Sequence, residues 1–342
     1  MKKIRTEDAV GHVLCHDMTR IIPGEFKGPA FRKGHIIREE DILVLLSLGQ
    51  EPLYVWDNDE TMFHEDEAAE ILCRMCIGPH MTASAPKEGK IEIRADADGL
   101  FTLDDERLIR VNSLGEMMIA ARSGGVPVRR GDKLAGTRVI PLVIEKEKMK
   151  RAEETAGGQP LLKITPFTHK KVALIVTGSE VYAGRIEDKF GPAIERKMAD
   201  YDTEIIGKTI IGDDPERITA QIRACLEQGA DMICCTGGMS VDPDDTTPSA
   251  IRASGAQIVT YGAPVLPGAM FLLAYAPGDI PVMGLPGCVM YSRRTIFDLV
   301  LQRLMANVKV SAEDLAALGN GGLCLDCEIC TYPNCGFGKR GF

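Results

Sequence analysis

Residues Cys234 to Arg252 read CCTGGMSVDPDDTTPSAIR. The apolar run Met232–Cys235 stops at Gly237 and Gly238, and Asp242, Asp244 and Asp245 follow before Thr246-Thr247-Pro248. A short apolar run ended by glycines predicts a fully buried strand. Paired glycines after such a strand let backbone N–H groups approach an anion, because no Cβ intervenes, and the Ser240 hydroxyl can add a donor. A tight turn without a ligand is the alternative. Carboxylates repel a phosphate unless a divalent cation lies between them, and Mg²⁺ is usually held by one or two carboxylates plus phosphate oxygens. Asp245 and Asp242 are the candidates in this loop. Thr247 then predicts a helix cap, with Pro248 as the first helical residue.

The same alternation continues on both sides. KVALIVT (171–177), TEIIGKTII (203–211), ADMICCT (230–236), AQIVTY (256–261) and IPVMGL (280–285) read as strands. GPAIERKMADY (191–201) and PERITAQIRACLEQ (215–228) read as helices, the second capped by Asp214 and stopped by Gly229. A long helix is expected over about 289–306. Strands alternating with helices predict an α/β fold, a parallel sheet mixed at its edge and covered by helices on both faces. In such sheets the ligand crevice lies at the carboxyl ends of the strands. The loops after Thr177, Thr236 and Leu285 fit that place, and Asp213 ends another strand there. Cys288, just inside a helix start, is expected to have a lowered thiol pKa if exposed.

Residues 1–160 predict a preceding α+β, β-rich region. Glu39–Gly49 and His64–Cys76 read as helices, and LYVWD (53–57), KIEIRA (90–95), GLFTL (99–103) and RLIRV (107–111) as strands. SLGEMMIAARSGG (113–125) reads as a helix, 126–145 as alternating strands, and 146–156 as a charged helix running into a Gly-Pro linker near 157–160.

The chain has 342 residues and a net charge of −9, which argues against general nucleic-acid or anionic-membrane binding. No apolar run is long enough to span a bilayer, and MKKIRTEDAVGHV lacks the apolar core of a signal peptide. A cytoplasmic location is expected. Seven of the eleven cysteines are scattered, which predicts reduced core residues. The other four, Cys324, Cys327, Cys330 and Cys335, are spaced C-x₂-C-x₂-C-x₄-C within a third region, 311–342. Their number and softness suit tetrahedral Zn²⁺ or a [4Fe–4S] cluster. The first two spacings, which join the first three cysteines, match a ferredoxin run, and the last is one residue longer.

VTGSE (176–180), GRIEDKFGPAI (184–194), GDDPERI (212–218), TGGMSVDPDDTTPSAI (236–251), LPGAM (266–270) and GLPG (284–287) occur in the order found in a known family. Over about 168–306 the chain resembles the molybdopterin-binding domain of molybdenum-cofactor biosynthesis enzymes. The resemblance implies molybdopterin or its adenylate across these loops, with Mg²⁺ and with ATP or AMP. It gives Asp245 and Asp213 metal-binding and catalytic roles and Asp188 a role in positioning nucleotide or metal. It places Thr177, Gly178, Gly237, Gly238, Ser240, Asp242, Thr247, Pro286 and Gly287 against the cofactor.

One enzyme type with this domain adenylylates molybdopterin, and another inserts molybdate and releases AMP. VGHVLCHDMTRI (10–21), FRKGHIIREEDILVLLSLG (31–49) and VPVRRGDKLAGTRVIPL (126–142) resemble the accessory region that insertases carry. Departures from the insertase pattern are Asp242-Pro243 for Gly-Glu, Ala269-Met270 for Lys-Pro, and Cys288 for an Asn. They leave open a non-catalytic carrier or sensor that delivers cofactor or metal to a client molybdoenzyme. A nucleotide hydrolase of the competence-damage type is a third reading. The resemblance also implies a homodimer or trimer, and leaves molybdenum against tungsten undecided.

Overall fold

The computed structural model describes residues 2–22, 26–55, 60–239 and 246–339. Ser240, Asp242, Asp244 and Asp245 lie outside the described residues. The chain divides into two compact units, residues 1–96, 103–122 and 130–163, and residues 97–102, 123–129 and 164–342.

The second unit is built on a six-stranded sheet of β1 (Lys170–Thr177), β2 (Thr203–Ile211), β3 (Met232–Thr236), β4 (Gln257–Tyr261), β5 (Leu272–Ala276) and β6 (Ile280–Leu285). The spatial order is β2-β1-β3-β6-β5-β4. β1 runs parallel to β2 and β3, and β3 to β6, while β5 is antiparallel to both β6 and β4. This is the α/β, mixed-edge sheet that the alternation predicts. β5 falls in a stretch where the sequence predicts no element.

Helices α1 (Ser179–Tyr182), α2 (Phe190–Met198), α3 (Pro215–Glu227), α4 (Thr247–Ala253), α5 (Ile296–Met305) and α6 (Ala312–Ala317) complete this layer structure. Successive strand residues point to opposite faces. Val172, Leu174 and Cys234 therefore pack with Ile194, Met198, Phe297, Val300 and Leu301 of α2 and α5. Ala173, Ile175 and Cys235 pack with Ile218, Ile222, Ala250 and Ile251 of α3 and α4. Both faces are buried, which is why these strands read as continuous apolar runs rather than alternating ones.

Helix starts follow local chemistry. Asp214 caps α3, its Oδ1 accepting from Glu216 N at 3.0 Å and Arg217 N at 3.2 Å. α4 begins at Thr247 with Thr246 as its cap, one residue earlier than expected. The expected single helix over 289–306 is instead a 3₁₀ turn, Gly287–Met290, followed by α5. Thr295 and Asp298 form a capping box that restarts the helix. Buried Asp298 also accepts from Lys197 Nζ at 2.8 Å and Arg294 Nη1 at 2.9 Å. A second, three-stranded sheet, ordered Val126–Val128, Gly99–Leu103 and Leu162–Pro166, falls largely within this unit. Gln302 of α5 donates to Gly125 O at 2.8 Å beside it.

The first unit holds a four-stranded antiparallel sheet ordered Met81–Ala83, Lys90–Ala95, Lys133–Val139 and Met117–Ala121. A separate small core gathers Leu14, Met18, Ile37, Leu45, Leu53 and Val55. Two expectations are overturned in this unit. RLIRV lies in a helix, Asp105–Asn112, because Asp104 caps it through Arg107 N at 2.9 Å and Arg107 is tied to Ala156 O and Gln159 O. The expected helix over 113–125 contains the strand Met117–Ala121, in which Met117 and Ile119 alternate into the core opposite Lys133–Val139.

The helix Glu65–Cys76 starts at a His64–Glu67 capping box. Burial, reinforced by neighbouring Asp66, pushes the Glu65 carboxyl up to about 7 from its ordinary 4.5. A carboxyl raised on folding stabilises fully below its unfolded pKa and loses that contribution as pH rises through the folded value. Urea unfolding, read by hydrogen exchange of this helix, is expected to show stability falling between about pH 4.5 and 7. Glu65→Gln should flatten that slope, and an unchanged slope would refute the burial argument.

Candidate ligand site

Strand register sets the site. Thr177 lies opposite Ile211, Val176 opposite Thr236, and Thr236 opposite Leu285. Gly178, Gly212, Gly237 and Pro286 therefore leave the sheet side by side at its carboxyl edge.

The centre of this rim is a threonine pair. Thr177 and Thr247 are buried, with their Oγ1 atoms 3.2 Å apart, and Thr247 Oγ1 donates to Gly237 O at 2.9 Å. The Thr247 proton is thereby committed to Gly237, so Thr177 is the donor within the pair. Gly237 sits at φ +88°, and a Cβ there would overlap Thr177 O and stand 2.7 Å from Thr177 Oγ1. A Cβ on Gly238, at φ +54°, would stand 2.9 Å from Thr247 Oγ1. The space expected to admit a ligand at these two Cβ positions is occupied by the protein's own threonines. The glycines are needed for close backbone packing. Gly287, by contrast, has nothing within 4 Å of its Cβ position. The buried Thr236 Oγ1 has no hydrogen-bond partner among the described residues.

Asp213 joins this group. Its Oδ2 accepts from Ser179 N at 2.8 Å and Ser179 Oγ at 2.7 Å, linking the loop after β2 to the loop after β1. Thr246 Oγ1 donates to Asp213 O at 3.4 Å, which brings the start of α4 to the same place. Among the described residues Asp213 Oδ1 has no partner. Asp214 is turned to its helix cap.

Asp188 is engaged elsewhere. Its Oδ1 accepts from Phe190 N at 2.8 Å and Gly191 N at 3.0 Å at the start of α2. Its buried Oδ2 makes no hydrogen bond among the described residues and lies 3.4 Å from Lys208 Nζ. None of these contacts reaches Asp213 or the glycine pair. The Cys288 thiol is half-buried, and burial pushes its pKa up, opposite to the lowering that exposure at a helix start would give.

Beyond the Gly287 turn lies a cavity of about 420 Å³ lined by Arg196, Lys197, Arg293 and Arg294, with Tyr291 and Ser292. These residues carry no signal in the family motifs; the adjacent arginines Arg293-Arg294 behind GLPG are the one local cue in the sequence. Lys197 and Arg294 are spent on Asp298.

Among the described residues, no group of three or more His, Cys, Asp or Glu side chains could hold a metal ion. The single-ion form of the expectation for Cys324, Cys327, Cys330 and Cys335 is therefore not met. Cys324 and Cys335 pack against the core, while Cys327 and Cys330 are exposed. No helix among the described residues is long and apolar enough to cross a membrane.

Comparison with known proteins places this geometry. A family model described as "Probable molybdopterin binding domain" matches residues 173–306, and one described as a domain of unknown function (DUF8806) matches 3–57. A CinA-like protein of Mycobacterium tuberculosis is 37% identical over 90 residues, 26% of this chain and 21% of that protein. The chain thus spans about a fifth of the length of the curated relatives it matches. The molybdopterin biosynthesis enzyme MoaB of Thermus thermophilus is similar at 20% identity and TM-score 0.34, over 40% of this chain and 97% of that one. The tungsten cofactor synthesizing protein MoaB of Pyrococcus furiosus is similar at 19% identity and TM-score 0.33, over 40% and 92%. Residues 173–306 are a molybdopterin-binding-type domain.

The two glycine classes predict opposite mutational outcomes. Gly237→Ala should cost at least about 2 kcal/mol in urea unfolding, from left-handed strain plus overlap with Thr177. Gly287→Ala should stay within about 0.5 kcal/mol of the parent. Equal stability of the two variants would refute the close-packing role of Gly237.

Proposed function

We propose that the second unit binds molybdopterin or its adenylate along the rim formed by Thr177-Gly178-Ser179, Asp213, Gly237-Gly238 and Pro286-Gly287, and acts in molybdenum-cofactor maturation. The observation that carries this reading is the Asp213–Ser179 link beside the Thr177–Gly237–Thr247 contact, within a domain matched by the molybdopterin-binding model. Nucleotide-linked transfer gains chiefly from alignment and charge neutralisation, so a rigid rim with aimed donors suits it.

The donor set has the hard oxygen character that Mg²⁺ takes. Asp213 Oδ1 would be one ligand, and Asp245 the second, as the sequence resemblance implies. Bound Mg²⁺ would neutralise charge on the phosphate oxygens. Ser179 holds Asp213 in one orientation, and the threonine pair fixes the glycine loop that leads to Ser240, Asp242 and Asp245. The backbone N–H of Gly287 is the candidate phosphate donor, since Gly287 leaves open space, whereas Gly178 N–H is already given to Ile211 O at 3.1 Å. Asp188 acts here through α2, whose start it fixes.

The accessory-region resemblance favours molybdate insertion with release of AMP over adenylylation with ATP. One observation favours the carrier or sensor instead. At the last loop a half-buried thiol, Cys288, stands where the insertase pattern has an amide donor.

Calorimetric titration with molybdopterin, its adenylate and ATP, each with and without Mg²⁺, tests the reading. Pterin binding strengthened by Mg²⁺ is expected, and Asp213→Ala should weaken the Mg²⁺-dependent part at least about tenfold. Asp245→Ala should abolish turnover of the adenylate with molybdate. Binding without turnover by the parent chain would select the carrier, and failure to bind any of the three would end the proposal.

A further inference from the structure

The C-terminal cysteine segment is built into the second unit. Leu266 N donates to Gly322 O, and Cys324 N to Leu266 O, both at 2.8 Å. Phe337 is buried in the sheet's larger core, and Tyr332 Oη lies 3.1 Å from Gln302 Oε1 of α5. Arg293 Nη1 donates to Glu328 O at 2.6 Å and Cys327 O at 3.3 Å, fixing the turn between the second and third cysteines. Arg294 stacks over the Tyr332 ring at 4.9 Å.

All four cysteines of this segment border one cavity of about 240 Å³, together with Arg293 and Arg294. A structural zinc draws four thiolate sulfurs to about 2.3 Å from one point and leaves no room between them. Among the described residues these thiols do not converge in that way. A cubane cluster differs, because each thiolate binds a separate iron at a corner, so the sulfurs stand apart around a central body. Four thiolates and a cluster core carry net negative charge, and the Arg293 guanidinium on the wall supplies opposite charge, Arg294 being paired with Asp298.

We propose that Cys324, Cys327, Cys330 and Cys335 bind a [4Fe–4S] cluster in this cavity, with Arg293 as the charge-compensating residue of its wall. The proposal stands apart from the pterin reading, since it uses other residues and another loop.

The full-length chain, purified without oxygen or reconstituted with ferrous iron and sulfide, provides the test. About four irons and four sulfides per chain are expected, with broad near-visible absorbance that dithionite bleaches. Cys327→Ser and Cys330→Ser change exposed residues, so circular dichroism should stay at the parent level. Each should lose most of the iron and the absorbance. Cys288→Ser should keep both. One zinc per chain that iron and sulfide do not replace would overturn the proposal. So would a chain that takes up no iron, or iron content unchanged in both tail variants.

Discussion

The rim of the second unit depends on one close approach, the backbone of Gly237 against the carbonyl of Thr177. Any side chain at Gly237 would drive apart the ends of β1 and β3, because the overlapping partner is backbone and cannot swing away. With the strand ends in contact, Thr247 bridges them to the start of α4 through one hydroxyl. Asp213 adds a second lateral link, across the β1–β2 side, through Ser179. The loops are knitted together by their own polar groups. The Asp213 carboxylate is held through one oxygen while the other has no partner among the described residues, which is the kind of preorganisation that charge stabilisation requires.

Much of this fold is legible in the sequence, and the physical reason is burial. Strands covered on both faces must be apolar at every position, so β1, β3 and β6 stand out as runs. α3 announces itself because Asp214 and Pro215 satisfy the requirements of a helix start. Legibility fails where a local cue competes with periodicity. MMIAA at 117–121 buries alternate residues but contains good helix formers, so a helix pattern fits it equally well. Residues 105–112 look like an alternating strand until Asp104 is seen to cap them. The restart of α5 follows the polar run Ser292-Arg293-Arg294 directly, and its capping residues Thr295 and Asp298 are buried, so one continuous helix fits the pattern equally well.

The candidate site divides in the same way. Thr177, Asp213, Gly237 and Thr247 are gathered at one rim, although sequence alone suggests that the glycines make room for a ligand rather than for threonine. Asp188 shows what sequence cannot carry. Its partner Lys208 lies on the next strand, and a pair set by tertiary packing leaves no trace in local spacing. The charged cavity beyond Gly287 is similar, since Arg196, Lys197, Arg293 and Arg294 converge only because α2 packs beside that turn.

The network at Asp298 connects the last rim loop to the C-terminal segment. An exposed pair such as Arg5–Glu7 contributes little because water screens it, whereas breaking a buried pair costs about 3–5 kcal/mol. Asp298 and Lys197 are of the second kind, with side chains 4% and 11% exposed. Held by Asp298, Arg294 stacks on Tyr332, and neighbouring Arg293 grips the backbone at 327–328. Phe337 then anchors the far side in the core, where full burial of such a side chain is worth about 1.5–3 kcal/mol. Small zinc domains lack such a core and fold only when the ion binds. Here Arg293, Arg294, Tyr332 and Phe337 tie the cysteine segment to the sheet's core through contacts of their own. The surroundings of the four cysteines are thus set by packing against α5 and the sheet's core, and not by the spacing of the thiols alone.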